Sequence, residues 1–365
     1  GGLHQGYVTL KGFMGQALDL KLGRQEIVWD GHRLLGNTIW TQGGQTNDAV
    51  RFDHSAGNHE LNFVYIEASE AGGVNVNDDR NNGTYVVRAA TQGVMGGNLA
   101  GYFLVHDDNS AESGDNQWFT VGARQAGKLG GLDYRVEYYH QFGDGAVPAT
   151  SSQQVDAYTG TITNTSDIDR DAYLFGIRVG KTFKNARMSP TITLWYDNKS
   201  GNDDDDVNGN DYGAYNTVQD TGHKFYGLLD NYLSAIGDDT QRYGLEDIAI
   251  KAKFNVSEKN VFKVDWHQFL TQTDLEGSDS DTIRAAGGGA FGTSHGTGAL
   301  GNDLGQEIDL TLVHKYDANT KIVTGYSHYF TTVTHSLLNG SGGGDNGLDQ
   351  TDDQSWFYMM IDTTF

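Results

Sequence analysis

Asp265 and His267 are the residues of this 365-residue sequence best suited to acid–base chemistry. They are two positions apart in an alternating segment, so both would lie on one face of a strand, where a carboxylate can orient an imidazole that acts as a general base. No serine or other third residue is tied to the pair by its spacing, and a polar strand face accounts for both side chains. We therefore predict no catalytic residues and no enzyme, and we keep a membrane hydrolase only as a third interpretation.

Asp204, Asp206 and Asn208 are candidate ligands for a calcium ion. With the glycine that follows them they match the first half of a calcium-binding loop, in which alternate oxygen atoms surround the ion and glycine permits a sharp turn. The glutamate expected at the twelfth position is absent, and Tyr215 takes its place. The sequence thus leaves two interpretations open, a calcium-binding external loop and a solvated acidic loop, and it predicts no other cofactor.

The charge balance excludes one class of partner. The chain has 25 basic and 48 acidic residues and a formal net charge of −23, whereas a protein that holds nucleic acid by its phosphates needs clustered lysine and arginine. The chain has no cysteine, which excludes disulfides and thiolate metal sites. Its mean hydropathy is −0.52, and no segment approaches the roughly 20 consecutive apolar residues of a membrane helix, so a helical membrane protein is also excluded.

The elements that would position the charged residues are strands with strict alternation. At the end of the chain Phe357, Met359 and Ile361 share one face with the terminal Phe365, a pattern typical of the closing strand of an outer-membrane β-barrel. One face of such a strand meets lipid and the other a polar lumen. The same alternation predicts fifteen strands, near residues 4–11, 17–26, 49–54, 60–68, 83–91, 98–106, 117–125, 131–142, 171–181, 190–197, 245–254, 261–270, 306–315, 320–330 and 355–365.

Connection lengths favour a barrel over a soluble β-sandwich, which would show the same two faces. Short turns alternate with long polar connections, as periplasmic turns alternate with external loops in outer-membrane barrels. We therefore predict one all-β domain over residues 1–365, a transmembrane antiparallel up-and-down β-barrel. The odd strand count predicts further N-terminal strands in the complete protein, about eighteen or sixteen in all. The predicted external loops lie near residues 27–48, 69–82, 143–170, 198–244, 271–305 and 331–354.

Strand parity assigns the charged residues to the lumen, because an arginine or lysine in mid-membrane on the lipid face costs roughly 2–4 kcal/mol. Eleven basic and eleven acidic residues then point inward, which leaves a balanced wall and a strongly acidic rim. These residues would either form a polar translocation path or only solvate the wall and pair across strands. The inward bases are Lys11, Lys21, Arg51, Arg88, Arg124, Arg135, Arg178, Lys251, Lys253, Lys263 and Lys315, and the inward acids are Asp19, Asp53, Glu60, Asp133, Glu137, Asp197, Asp247, Asp265, Glu307, Asp309 and Asp362.

Two motifs of this sequence resemble the alginate export family of outer-membrane barrels. The resemblance implies an eighteen-stranded barrel and a selective conduit for a polyanion, with an arginine-rich lumen. The first motif spans residues 22–37 and continues with Trp40 and residues 47–51, and the second spans residues 221–230 and 244–251 and is followed by residues 327–330.

Arg24, Arg33 and Arg51 match positions of that family, and the resemblance makes them candidates for a local basic constriction. Arg24 shares the parity of Leu22, so it would point outward unless a bulge at Gly23 re-aims it or the strand has already left the apolar band. A strongly negative rim would repel a polyuronate at low salt, which places alginate itself in doubt as the substrate.

The sequence as a whole favours a passive channel in the outer membrane of a Gram-negative bacterium, conducting small polar solutes or an oligosaccharide. Its partners would be membrane lipid and lipopolysaccharide, the solute, and an extracellular or periplasmic protein. The alternative is a structural or docking barrel whose acidic loops hold a partner or calcium and whose lumen is plugged by residues 198–244. The six tryptophans would supply interfacial girdles or line a sugar track. The predicted pore-lining residues are Lys11, Lys21, Arg24, Arg33, Arg51, Arg124, Arg135, Glu137, Arg178, Lys251, Lys253, Lys263, Asp265, Glu307 and Asp309.

Overall fold

The fold is a single large β-sheet with short helical turns. The computed structural model describes residues 2–41, 43–70, 81–108, 116–145, 169–203, 211–217, 219–233, 240, 242–274, 301–338 and 352–364. In these ranges one short α-helix is present, Val333–Leu338 (α1), and no helix has the length and apolar character needed to cross a membrane. The strands are Gly6–Leu10 (β1), Leu18–Gln25 (β2), Asn47–Ala56 (β3), His59–Glu70 (β4), Asn81–Val94 (β5), Gly97–Asp108 (β6), Asn116–Leu129 (β7), Leu132–Asp144 (β8), Asp169–Thr182 (β9), Thr191–Lys199 (β10), Asp211–Tyr212 (β11), Leu245–Asn255 (β12), Asn260–Leu270 (β13), Asp303–Lys315 (β14), Thr320–Thr331 (β15) and Gln354–Thr363 (β16).

The strands form an antiparallel meander in chain order, from β1 to β10 and then from β12 to β16. The two-residue strand β11 lies off this path and pairs in parallel with β9. All fifteen predicted strands are therefore confirmed, including residues 83–91, whose weak alternation belongs to the 14-residue strand β5. The sequence did not predict β11, because a two-residue strand has no periodicity to detect.

Period-two alternation separates an apolar outer face from a polar inner face. On β10 the outward side chains of Ile192 and Leu194 are 41% and 58% exposed, whereas inward Asp197 is fully buried. A buried carboxylate beside exposed aliphatic residues reverses the usual order of a soluble sheet. The reversal is what a strand shows when lipid takes the place of water on its outer face.

Two segments between strands cover the inner face. The first inner segment is residues 26–41, between β2 and β3, and the second is residues 211–233, between β10 and β12, described except for residue 218. Residues 27–41 and 211–233 were predicted to belong to external loops, yet Ile27 and Phe225 are fully buried and Arg33 is only 2% exposed. These segments therefore supply buried residues to the interior of the fold.

The two inner segments are joined by backbone hydrogen bonds. Gly36 N donates to Gln219 O at 2.9 Å, and Thr221 N donates to His32 O at 3.1 Å. Leu35 and Gln219 form an isolated parallel bridge at the same place. The segments thus pack as one body against the sheet.

Gly36 allows the closest approach between the two inner segments, because a Cβ atom there would lie 3.0 Å from the backbone nitrogen of Thr221 and would collide with the Thr221 side chain. We expect Gly36→Ala to separate the segments and to lower the free energy of unfolding by roughly 1–3 kcal/mol, the usual effect of overpacking. Limited proteolysis of the folded protein in detergent should then cut faster within residues 26–46. Gly101→Ala is the control, since its Cβ atom would meet only Gly122 O at 3.9 Å. Equal protease resistance of the two variants would contradict this arrangement.

Candidate functional site

A group of four arginines and two carboxylates lies on the inner face at the centre of the sheet. We call it the arginine cluster. Strands β7 to β10 supply most of its members because their inward positions fall side by side in the antiparallel register: Arg135 is directly opposite Arg178, and Arg124 is directly opposite Glu137. Four guanidinium groups thus face two carboxylates, which leaves an excess of positive charge. The members are Arg33, Arg124, Arg135, Glu137, Arg178 and Asp197.

Arg33 of the first inner segment is the member that connects the segments to the wall. Its Nε donates to Glu137 Oε1 at 3.2 Å, and its Nη2 donates to Asp197 Oδ2. Its Nη1 donates to the hydroxyl of Tyr226 in the second inner segment at 2.7 Å, and the guanidinium lies 3.7 Å from the centroid of the Phe225 ring. Burial alone would lower the pKa of Arg33, but the facing Asp197 carboxylate raises it well above the usual value, so this side chain stays charged.

Glu137 is shared by all four arginines. Besides Arg33, the Nε atoms of Arg124 and Arg135 and the Nη2 atom of Arg178 lie 3.7, 3.7 and 3.8 Å from its carboxylate oxygens. The Glu137 side chain is fully buried, so its charge is not screened by bulk water. Contacts near 3.7 Å are electrostatic rather than hydrogen bonds. Within the described ranges Arg124 Nε, Arg135 Nη2 and Arg178 Nε have no hydrogen-bond acceptor, so these groups could donate to another anion.

The ring of Trp195 lies against the cationic side chains of the arginine cluster. The guanidinium of Arg178 lies 3.0 Å from the centroid of its ring, and that of Arg135 lies 5.3 Å away. Lys251 of β12 reaches the same ring, with Nζ 4.4 Å from the centroid. A ring face attracts cations without neutralising them, so Trp195 holds three positive groups together.

A second ion-pair network ties the first inner segment to β4, β5 and β6. Asp30 accepts from Arg88 Nε at 2.8 Å and from Asn98 Nδ2 at 3.2 Å, and the Tyr102 hydroxyl also donates to it. Arg88 continues the network to Glu60 at 2.9 Å. Strand parity predicted that Arg88 faces inward. Asp30 lies in a connection without period-two alternation, so parity could not predict its position.

The second inner segment is anchored to β14 through Glu307. The backbone nitrogens of Leu228 and Leu229 donate to Glu307 Oε1 at 2.7 and 2.9 Å. Gly227 has a φ of +82°, and a Cβ atom there would lie 2.5 Å from the Glu307 carboxylate, so glycine permits this approach. Asp309, two residues along, accepts from Ser327 Oγ at 2.5 Å.

The other predicted pore-lining residues that lie inward are distributed along the wall outside the cluster. Lys21 lies 3.6 Å from the centroid of the Tyr7 ring, and Arg51 donates to Asp53 at 2.8 Å. Lys251 and Asp265 form an ion pair at 3.6 Å. These three contacts join neighbours across adjacent strands or alternate positions on one strand. Lys253 and Lys263 lie on the same face of β12 and β13 and are exposed.

Lys11 and Arg24 are predicted pore-lining residues that do not lie on the inner face. Strand β1 ends at Leu10, so Lys11 lies in the exposed turn that follows it. Arg24 keeps the register of β2 and pairs with Asp48 at 2.6 Å, in the outward row that also contains Leu22. The register shows no bulge at Gly23, so Arg24 is an exposed outer-face residue rather than part of a constriction.

The imidazole of His267 has a different partner from the one that its sequence spacing suggested. Its Nδ1 lies 2.8 Å from Asp247 Oδ1, and both side chains are fully buried, whereas Asp265 pairs with Lys251. Among the described residues no group of three or more histidines and carboxylates could hold a metal ion. The candidate calcium ligands Asp204, Asp206 and Asn208 lie outside the described ranges.

Asp220 of the second inner segment gives the structure a pH dependence. Its Oδ2 is sealed from solvent without a partner in the described part of the chain, and burial raises its pKa to about 6, against the opposing effect of Lys199 and Arg33. Because the folded-state pKa is raised, the stability that Asp220 contributes is complete below its ordinary pKa of 3.8 and is lost as pH rises through about 6. We expect thermal stability to fall between about pH 4 and pH 6.5 by more in the wild type than in Asp220→Asn, measured by circular dichroism in detergent. An identical fall in both proteins would contradict the assignment.

Comparison with known proteins agrees with this fold. The sequence profile described as alginate export matches residues 2–332. No protein of curated function matches the sequence significantly.

Three solved structures are similar to the chain at low identity. OccAB1 of Acinetobacter baumannii is 12% identical, with a TM-score of 0.53 over 96% of this chain and 74% of its own. OccK8 (OprE) of Pseudomonas aeruginosa is 10% identical, with a TM-score of 0.51 over 96% and 77% of the two chains. OccK10 (OpdN) of the same organism is also 10% identical, with a TM-score of 0.51 over 96% and 81%. At these identities the likeness shows the fold alone.

Proposed function

This chain belongs to the alginate export family of β-barrel channels in the outer membrane of Gram-negative bacteria, and from this premise we propose that it passively conducts small polar solutes or an oligosaccharide. The observation that carries the proposal is the arginine cluster, in which four guanidinium groups meet two carboxylates on the inner face. Charged groups on a channel wall replace part of the hydration of a passing solute and so set its selectivity. The proposal needs no cofactor and no enzymatic step.

The excess of guanidinium groups favours solutes that carry negative or strongly polar groups at the cluster. The chain as a whole has a net charge of −23, so an anion arriving from the acidic loops would be repelled before it reached the cluster. A polar or mildly charged solute satisfies both conditions better than a long polyanion. We therefore propose the wider class of polar solutes and oligosaccharides rather than alginate.

Planar-bilayer recording tests the proposal. The purified protein, reconstituted at low salt and again at high salt, should give discrete conductance steps. Its ion selectivity should weaken as salt rises, because the Debye length falls from about 10 Å at 0.1 M to about 3 Å at 1 M. Liposome swelling with neutral sugars of increasing size would then give the exclusion limit. An absence of current at every salt concentration and voltage would contradict a channel.

The second candidate is a structural or docking barrel, and the packing of the inner segments favours it. Trp40 of the first inner segment lies 4.8 Å from Tyr358 of β16, centroid to centroid, and Asp30 of the same segment binds Arg88 of β5, so this segment contacts the wall at two distant strands. A barrel filled in this way would offer its acidic external loops to a protein partner or to calcium. It would carry no current, which separates it from the channel in the same recording.

A further inference from the structure

Lys253 of β12 and Lys263 of β13 are directly opposite each other on the inner face. Both side chains are exposed. Side chains directly opposite in an antiparallel pair have Cβ atoms about 4.5–5.5 Å apart, and like charges in this position destabilise the sheet. The register therefore places two like charges side by side on the inner face.

Among the residues that the structure describes, no acidic side chain forms an ion pair with Lys253 or Lys263. The next inward neighbours across the sheet are Thr191, opposite Lys253, and Thr311, opposite Lys263. The nearest inward acid along the strand is Asp265, and it is paired with Lys251. Within the described ranges neither Lys253 nor Lys263 forms an ion pair. We call these two residues the lysine patch, and it carries an excess of positive charge.

A second pair of lysines at the same end of the sheet differs, because one of its members has an acidic partner. Lys315 and Lys321 are also directly opposite each other, on β14 and β15. There the ammonium group of Lys321 lies 2.8 Å from the carboxylate of Asp362. One lysine of this second pair is therefore neutralised, whereas in the described ranges neither Lys253 nor Lys263 has such a partner.

The lysine patch lies at the periplasmic end of the wall. Residues 256–259 form a short turn between β12 and β13, and short turns are periplasmic in outer-membrane barrels. Lys251, the next inward residue above Lys253, contacts Trp195, on which Arg178 of the arginine cluster also stacks. Basic side chains therefore follow one another from the periplasmic mouth to the cluster, with Lys251 also paired to Asp265.

We propose that Lys253 and Lys263 form a recruiting site for a multivalent oxyanion that enters from the periplasm. The inference deepens the proposed channel function and rests on it for the direction of entry. Such an anion supplies the missing negative charge between the two ammonium groups and is then passed along Lys251 toward the guanidinium groups. Lysine presents a flexible point charge rather than a fixed fork, so the site accepts carboxylates and phosphates alike.

Side-specific block of single-channel current tests the site. Tricarballylate, a flexible tricarboxylate, should reduce the KCl current at a lower concentration from the periplasmic side than from the external side. Lys253→Gln/Lys263→Gln should raise the half-blocking periplasmic concentration roughly fivefold to tenfold, as expected for two solvent-exposed ion pairs. Pyrophosphate in place of tricarballylate tells whether phosphate serves as well as carboxylate.

The control is Lys181→Gln/Lys259→Gln, which removes the same charge from exposed positions that are not on the inner wall. This control should stay within about twofold of the wild type. Equal block in the wild type and in the inner-wall variant, or an equal shift in the control, would overturn the site.

Calorimetric titration of the detergent-solubilised proteins with tricarballylate separates this proposal from the channel itself. If the wild type carries no current but its binding heat disappears in the inner-wall variant, the channel function fails and the anion site stands. If the wild type conducts, and the inner-wall variant shows the same half-blocking concentration and the same binding heat as the wild type, the anion site is contradicted while the channel function is retained.

Discussion

Arg33→Met should raise the single-channel conductance and lower the thermal stability of the protein. Arg33 is the charged link between the first inner segment and the wall, with its guanidinium bound to Glu137, Asp197 and Tyr226. Methionine keeps much of the apolar volume over Phe225 but leaves two buried carboxylates with fewer partners. Removal of one member of a buried ion pair costs about 3–5 kcal/mol, and here that cost falls on the contact that holds the segment in place.

The double variant Arg33→Met/Asp197→Asn separates loss of charge pairing from loss of packing. It removes the carboxylate that would otherwise stay buried, so it should recover part of the stability while the conductance stays high. Arg24→Met is the matched control, because its pair with Asp48 is about half exposed and such pairs contribute about 0–1 kcal/mol. Bilayer recording and thermal unfolding in detergent measure the two effects. A conductance unchanged by Arg33→Met would show that the first inner segment does not restrict the path.

The strands could be predicted from the sequence because the alternation of polar and apolar residues that identifies a strand lies within the strand itself. Alternation with period two gave all fifteen strands of the meander and the inward direction of Arg124, Arg135, Glu137 and Arg178. Register follows from a short turn between β7 and β8, so Arg124 and Glu137 meet where parity expects them. Strands β8 and β9 are joined by a long connection, so the sequence predicts that Arg135 and Arg178 face inward but not that they lie opposite each other.

The inner segments could not be predicted in the same way, because their partners are distant in the sequence. Arg33 is 104 residues from Glu137 and 164 from Asp197, and the segment around it has no periodicity. The signal that did identify Arg33 was its match to a family motif. Parity likewise placed His267 inward but gave no means to choose between Asp265 and Asp247 as its partner, since both lie on that face.

The tryptophans show a second limit of sequence patterns. They were expected at membrane interfaces or along a sugar track, and Trp266 does lie on the outer face, opposite Ile250 and Ile308. Trp195 instead lies inward beneath Arg178, and Trp118 lies 4.5 Å from the guanidinium of Arg170. An aromatic ring suits lipid and a cation alike, so residue type alone does not decide which side of the sheet it occupies.

Glu137→Gln should shift the channel strongly toward anions, because it removes the one carboxylate that contacts all four guanidinium groups of the arginine cluster. Glutamine keeps the shape of the side chain, so the change is mainly electrostatic. Four guanidinium groups then face only the carboxylate of Asp197, so the excess of positive charge grows and a permeating anion becomes the favourable partner.

The shift is measured as the reversal potential in a KCl gradient, which should move toward the chloride equilibrium potential. Stability should fall by about 3–5 kcal/mol, as for other buried ion pairs that lose one member. Glu60→Gln is the control: its carboxylate pairs with Arg88 at 2.9 Å but is 40% exposed, so solvent screens the change and the reversal potential should stay near that of the wild type. A reversal potential that Glu137→Gln leaves unchanged would place the permeation path elsewhere. The stability loss would then be the only consequence, and the cluster would be a purely structural brace between the inner segments and the wall.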